Sequence, residues 1–209
     1  MMRSPAESGR ERALDAAVAI LAERGPDALT LAEVASRIGV SATALQRHFA
    51  GYEALLEALV ERWFAPKIAI MEEVVASDLP PRRKMYEFFA RRFALMRDAI
   101  RADPIAFENS LQLGEAHFAV VQGYIDLADH YLAEVIGEAM CDGYFVGLEV
   151  DEALSLVNQM AHLYCNTNML KYIVDKLSEE KLARIVDAIF DGLAAQDRGA
   201  RGLADLRAA

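Results

Sequence analysis

The chain has 209 residues, 54% of them hydrophobic and 26% charged, with a formal net charge of −10. That composition supports a packed core and excludes wholesale disorder. The two cysteines, Cys141 and Cys165, lack the paired spacing of zinc sites, and no apolar run approaches the roughly 18 residues of a membrane span.

The opening MMRSPAESGRER has no apolar centre, so no secretory signal is expected and the reading is a soluble, cytoplasmic protein with no membrane partner. Residues 1–62 carry seven Lys/Arg against nine Asp/Glu, so most of the acidic excess lies in the remainder. A polyanion needs only a local basic face, and the global charge does not exclude one.

Helical periodicity runs throughout and no segment sustains strand alternation, which predicts an all-α fold. The first helix should run from about Glu7 to Arg24, with Leu14, Ala17, Val18 and Leu21 on its buried stripe and Gly25-Pro26 ending it. Thr30 opens the second as an N-cap, with Glu33 completing a capping box, and Gly39 breaks it. Ser41 caps a short third helix. Gly51 separates that from a fourth, about 52–75, which Pro66 should kink or split.

The fifth helix covers roughly 81–101, and Asp103-Pro104 starts a short sixth. The seventh spans about 115–140. Asp151 caps an eighth that runs to about Lys176, and Ser178 with Glu179 and Glu180 starts the ninth. The tail, 196–209, is expected to fray.

Residues 31–50, LAEVASRIGVSATALQRHFA, form one unit. Ala35 is small where a second helix approaches, Gly39 allows a left-handed turn, and Leu45 wedges between the two helices beside Val34, Ile38 and Val40. These offsets are the helix-turn-helix pattern. They leave Ser41, Ala42, Thr43, Gln46 and Arg47 facing outward. An ordinary helical hairpin with a glycine turn shares the same offsets.

The flanks discriminate. Across residues 10–63 the sequence resembles the TetR family of bacterial transcriptional regulators. The matching features are the Gly25 break, the Leu29-Thr30 entry, the Ala35/Gly39-Val-Ser core, His48-Phe49, and Glu53 with Leu55. The resemblance implies a three-helix DNA-binding domain, 7–52, joined to a helical ligand-binding and dimerisation domain, 53–195. It makes Thr30, Ser41 and His48 phosphate contacts, and Ala42, Thr43, Gln46 and Arg47 the surface offered to the major groove. Arg10, Arg12, Arg37 and Arg47 would supply positive potential. Two positions depart from the family, which commonly has Tyr where this chain has Gln46 and Lys where it has Tyr52. Tyr52 keeps a donor for phosphate but loses a charge.

In the larger domain the eighth and ninth predicted helices are apolar on more than one side, which predicts a second buried surface. In the family the last two helices form a four-helix dimer seam, so a homodimer through these helices is expected. A pocket for an unidentified small-molecule effector is also implied, with Trp63, Phe89, Arg92, Phe93, Met96, His117, Tyr124 and His162 as candidate ligand contacts.

Arg92 falls near the centre of the apolar face formed by Met85, Phe88, Phe89, Phe93, Met96 and Ala99, and a charge there needs an anion. An internal salt bridge to an acid such as Glu115, or a snorkelling head, would satisfy it. The sharper expectation is that Arg92, with His117 on the apolar face of the seventh helix, anchors the acidic group of a largely apolar effector. His162 and Cys165 stand one turn apart without clear further ligands, so no metal is expected. No cofactor motif and no catalytic constellation occurs, so an enzyme is not expected. The function expected is a ligand-responsive repressor that binds a pseudo-palindromic operator as a dimer and is released by its effector. The alternative is a helical small-molecule-binding or enzymatic bundle that has lost operator binding.

Overall fold

The computed structural model describes residues 5–193, with side chains from Gly9 onward. The expectation for the tail lies outside them. Among the described residues there are ten α-helices and no strand. They are α1 (Pro5–Arg24), α2 (Leu31–Ile38), α3 (Ala42–Leu45), α4 (Tyr52–Val75), α5 (Pro81–Ala102), α6 (Pro104–Ala116), α7 (Phe118–Cys141), α8 (Val150–Cys165), α9 (Thr167–Ile173) and α10 (Glu179–Gly192). Two 3-10 turns, Pro26–Ala28 and Val174–Lys176, join them.

Side-chain caps start most of the short elements. The Thr30, Ser41, Asp103 and Ser178 oxygens accept from the N–H groups of Glu33, Ala44, Ala106 and Lys181, satisfying donors that a helix start leaves open. The capping box at Thr30 is half made, because the Glu33 carboxylate turns instead to Arg24. Gly39 ends α2 in the left-handed region, at φ 71°.

Two apolar cores form. The first packs Leu14, Ala17, Ile20 and Leu21 of α1 on Val34, Ala35, Leu45, Phe49 and the first half of α4, with Leu113 of α6 closing it. The second gathers Met71 and Val74 of α4, five large apolar side chains of α5 (Met85, Phe88, Phe89, Phe93, Met96), and the inner faces of α7, α8 and α10. Helix α4 thus serves both cores along its length. A further tie is α6, where Asn109 Nδ2 donates to the Leu21 carbonyl at 2.9 Å, which also accepts from the Gly25 N–H, and to the Ala22 carbonyl at 3.4 Å, one of the orphan acceptors ending α1.

Several elements differ from expectation. Pro66 does not split α4, which continues through it as packing on both cores outweighs one missing donor. The seventh helix starts three residues late, because His117 (φ −122°, ψ 45°) breaks it from α6. His117 is therefore a junction residue and not part of α7's apolar face. The eighth predicted helix is two helices. Asn166 leaves the helical region (ψ 99°) and its side chain accepts from the Met169 N–H, so a local cap at a polar turn starts a new helix. The N-cap of α8 is Glu149, not Asp151, with Glu152 reaching back toward the Glu149 N–H at 3.5 Å.

The double-sided reading holds for α8 and fails for α10. Ala153, Val157, Ala161 and Tyr164 are buried while Leu156, Met160 and Leu163 on the flanking side are 38–45% exposed. In α10, Leu182, Val186, Ile189 and Phe190 all enter the chain's own core, and the outward side carries Lys181, Arg184, Asp187 and Asp191. On α5, Ile100 takes the buried place expected of Ala99, which is exposed.

Candidate recognition surface and effector site

Leu45 is buried in the first core, and this fixes α3 against α2 so that Ser41, Ala42, Thr43, Gln46 and Arg47 all stand exposed on one side. Thr30 is exposed at the start of α2. Its hydroxyl and that of Ser41 accept from helix N–H groups, which leaves each O–H free to donate to a phosphate oxygen. His48 is half-buried beside Gly9 of α1. A Cβ at Gly9 would lie 2.7 Å from His48 Nε2, so the absence of a side chain there lets the imidazole settle against α1.

The cations near this surface are not equivalent. Arg10 pairs with Glu61, and Arg37 makes a two-pronged contact with Glu23 (2.7 and 2.5 Å). Arg12 donates to the Ile38 carbonyl at 3.3 Å, bracing the end of α2. The Arg47 guanidinium enters no ion pair or hydrogen bond among the described residues. The expected positive potential thus comes down to Arg47, Arg12, whose partner is a carbonyl and not an acid, and helix N-termini. Tyr52 is half-buried against the first core, with its ring edge-on to His117 at 5.9 Å between centroids. Burial, then Glu53, raises its pKa, so its hydroxyl stays a proton donor.

The candidate effector contacts divide. Trp63 packs on the first core and His117 on Tyr52, so neither joins Arg92. His162 is exposed, with its Nε2 at 2.8 Å from Asn166 Nδ2. Phe89, Phe93 and Met96 are buried in the second core, where the Phe93 ring meets Tyr164 edge-on. Arg92 and Tyr124 do come together. Arg92 is 9% exposed, its Nε has no hydrogen-bond partner among the described residues, and its guanidinium lies over the Phe88 ring at 4.8 Å. The Tyr124 hydroxyl is likewise buried without a partner among the described residues. Burial pushes it up to about 12, against the opposing pull of Arg92.

Neither bland reading of Arg92 survives. The Glu115 carboxylate is engaged by Asn168, and the Arg92 Nε is fully buried, so any snorkelling toward water is confined to the ends of the guanidinium and leaves Nε unsatisfied.

A second cation, Lys67, was not anticipated. Burial, and secondarily the Arg92 charge, lowers its pKa to about 8. Its Nζ lies over the Phe64 ring at 4.5 Å, and Phe64 stacks on Tyr124 at 3.6 Å. The signal was present in the sequence: Phe64, Lys67, Met71 and Val74 recur at helical spacing, which puts Lys67 on the inward stripe of α4. Outside the Phe64–Tyr124 stack lies a groove of about 270 Å³ between α4 and α7, lined by Val60, Phe64, Ile68, Val120, Tyr124 and Leu127 among others. Among the described residues no group of three or more His, Cys, Asp or Glu is arranged to hold a metal, and no helix is long and apolar enough to cross a membrane.

A helix-turn-helix with an exposed recognition face, carried on a larger helical domain with buried polar groups, defines the class of DNA-binding regulators that also house a ligand site. Two family models match: "Bacterial regulatory proteins, tetR family" over residues 13–59, and "Tetracyclin repressor-like, C-terminal domain" over residues 81–186. The chain belongs to the TetR family and is a ligand-responsive, DNA-binding transcriptional regulator. That supports the regulator reading over the alternative of a bundle without operator binding.

Solved structures share the fold. One from Mesorhizobium loti, assigned to TetR-family transcriptional regulators, is 16% identical, with 90% of this chain and 96% of that one covered and a TM-score of 0.63. A fatty acid degradation regulator from Bacillus halodurans is 19% identical (92% and 98% covered, TM-score 0.60). A TetR-family regulator from Haemophilus influenzae is 16% identical (90% and 98%, 0.59). No curated protein sequence matches the chain.

Proposed function

We propose that the chain is a repressor that binds a pseudo-palindromic operator as a homodimer in the cytoplasm and leaves it when a small acidic, largely apolar effector enters the C-terminal domain. The observation that carries this reading is the conjunction of the exposed Ser41–Arg47 face with the unpartnered Arg92 in the other core. Residues 7–52 act as the DNA-binding domain and 53–195 as the sensing and dimerising one. Ala42, Thr43, Gln46 and Arg47 meet base edges, while Thr30, Ser41, His48 and Tyr52 meet phosphates. Gln46 can pair bidentately with adenine.

Dimerisation through α8, flanked by α10, sets two recognition helices about 34–36 Å apart, one DNA turn. The exposed stripe of Leu156, Met160 and Leu163 supports α8 as the apolar centre of that seam, with the charged outer side of α10 as its rim. Effector binding acts on the second half of α4, and the first half of the same helix packs on the DNA-binding core. A shift in α4 therefore changes the spacing of the recognition helices. Selection of bound duplexes from a random library tests the reading. Enrichment of an inverted repeat with half-sites one turn apart is expected, and recovery of duplexes without any shared sequence refutes it.

A further inference from the structure

The groups behind the Phe64–Tyr124 stack come from four helices: Lys67 from α4, Arg92 from α5, Tyr124 and Asp129 from α7, and Cys165 from α8. Neither cation takes part in an ion pair among the described residues. Asp129, the acid near Cys165, instead accepts from Asn158 at 2.9 Å. Cys165 is half-buried, and desolvation raises its thiol pKa, so it contributes no negative charge at neutral pH.

Two like charges held together and partly shielded from water are costly unless something anionic joins them. The half-buried Lys67 and the buried Arg92 differ in this respect from the buried Lys84, which is paired with Glu138 and with the Val75 carbonyl, and from the half-buried Lys171, which is paired with Glu108. What is left is a Lys67–Arg92 couple without an ion pair, beside a Tyr124 hydroxyl that has no partner among the described residues.

We infer that Lys67, Arg92 and Tyr124 form a carboxylate receptor, and that its ligand is an amphiphilic monocarboxylic acid whose apolar tail lies in the groove between α4 and α7. The inference rests on the effector reading above and names the class of molecule and the groups that hold it. The Lys67 ammonium, the Arg92 Nε–H and the Tyr124 hydroxyl are three donors, and a carboxylate offers up to four lone-pair sites on two oxygens. The groove supplies Val60, Ile68, Val120 and Leu127 for the tail, and Glu57 and Glu61, the latter paired with Arg10, also line it, so the two cations behind the stack are the groups that favour an acid there. Tyr124 lines both compartments, and so does Phe64, whose ring also carries Lys67. Their stacked rings are the door between groove and cations, and the acid enters head first as the stack opens. Closing Lys67 of α4 onto Arg92 of α5 through one shared anion is what links occupancy to the position of α4.

The test is calorimetric titration of the full chain with octanoate, octanol and octylamine. Wild type should bind octanoate about tenfold or more tightly than octanol and should not bind octylamine. Octanoate affinity should fall between about pH 7 and about pH 9.5, as Lys67 loses its proton. Arg92→Met should abolish the preference for the acid, and Lys67→Met should weaken octanoate and flatten its pH profile. Both variants remove an unpaired charge, so both should fold with a Tm at or above that of wild type. Equal binding of octanoate and octanol by wild type overturns the inference, as does an acid preference that survives both substitutions. So does inorganic phosphate binding as strongly as octanoate. The two readings fail separately. Octanoate binding that leaves operator affinity unchanged would retain the receptor and refute its role as effector site. Operator release by a compound that binds the doubly substituted protein unchanged would retain the regulator and refute the receptor.

Discussion

Arg47 differs from the other arginines of the DNA-binding domain in having its guanidinium uncommitted. Arg37 and Arg10 are held by Glu23 and Glu61, so their charge is already partly neutralised before any phosphate approaches. Replacing Arg47 by Ala should weaken binding to the selected operator by about 1–3 kcal/mol if it reads a base edge. Arg37→Ala should cost less. Fluorescence anisotropy on the operator duplex separates the two, and a larger loss for Arg37 would mean the recognition face is misassigned.

A second residue-scale consequence concerns Lys67 and pH. Its folded pKa of about 8 lies below the ordinary lysine value of 10.5, so the folded chain binds fewer protons than the unfolded chain between those values. Stability from this group therefore rises with pH through that window, and below about pH 8 the full penalty applies. Tyr124 and Cys165, both raised, act in the opposite sense once the unfolded chain ionises. The clean quantity is thus the difference between wild type and Lys67→Met. Denaturant unfolding at about pH 7 should find the variant more stable by on the order of 1–3 kcal/mol, with the gap closing toward about pH 10. A gap that stays constant with pH would show that Lys67 is not a buried charge.

At the scale of the element, the turn between α2 and α3 is set by one dihedral angle. Gly39 has φ 71° with open space around its Cα, so Gly39→Ala meets no clash and pays only the left-handed backbone cost, about 1–2 kcal/mol. Thermal unfolding should report that as a Tm lower by a few degrees, whereas an unchanged Tm would mean the turn relaxes.

This turn was legible because glycine, serine cap and Leu45 wedge all act within a few residues of one another. The breaks at His117 and Asn166 were not. At Asn166 a single polar turn, Asn166-Thr167-Asn168, lies between two apolar runs without Gly or Pro, and the Asn166 side chain accepts from the Met169 N–H to start a new helix there. At His117 neither Gly nor Pro marks the end of α6. The effector site divides along the same line. Arg92 was readable as a charge inside an apolar stripe of its own helix. Tyr124 was named as a candidate contact and Lys67 sits on a readable inward stripe, but that these two meet Arg92 was not readable, since they arrive from α7 and α4 and contacts between helices leave no trace in the periodicity of either. For the same reason Trp63 and His117 were assigned to the wrong neighbourhood. Both are aromatic residues near the site in sequence, and both pack on the DNA-binding core instead.

For the whole molecule, the decisive question is what covers α8. Leu156, Met160 and Leu163 recur at i, i+4 and i+7, so they form one stripe on the side of α8 that flanks its buried residues. A stripe of large apolar side chains left in water is costly, and a two-fold axis lets the same stripe cover itself in a partner copy. Charged residues on the outer side of α10 fit the rim of such a seam, where polar groups keep contact with water. One recognition helix alone meets one half-site, so operator affinity depends on the seam even though no α8 residue touches DNA. Light scattering of wild type at micromolar concentration should give twice the 23.0 kDa chain mass. The double substitution Met160→Asp with Leu163→Asp should give the chain mass itself. It should keep its helical circular dichroism, because neither position enters the core, and should lose operator binding while retaining octanoate. A wild-type monomer would refute the seam. A doubly substituted protein that remains dimeric would place the interface on another face of the molecule.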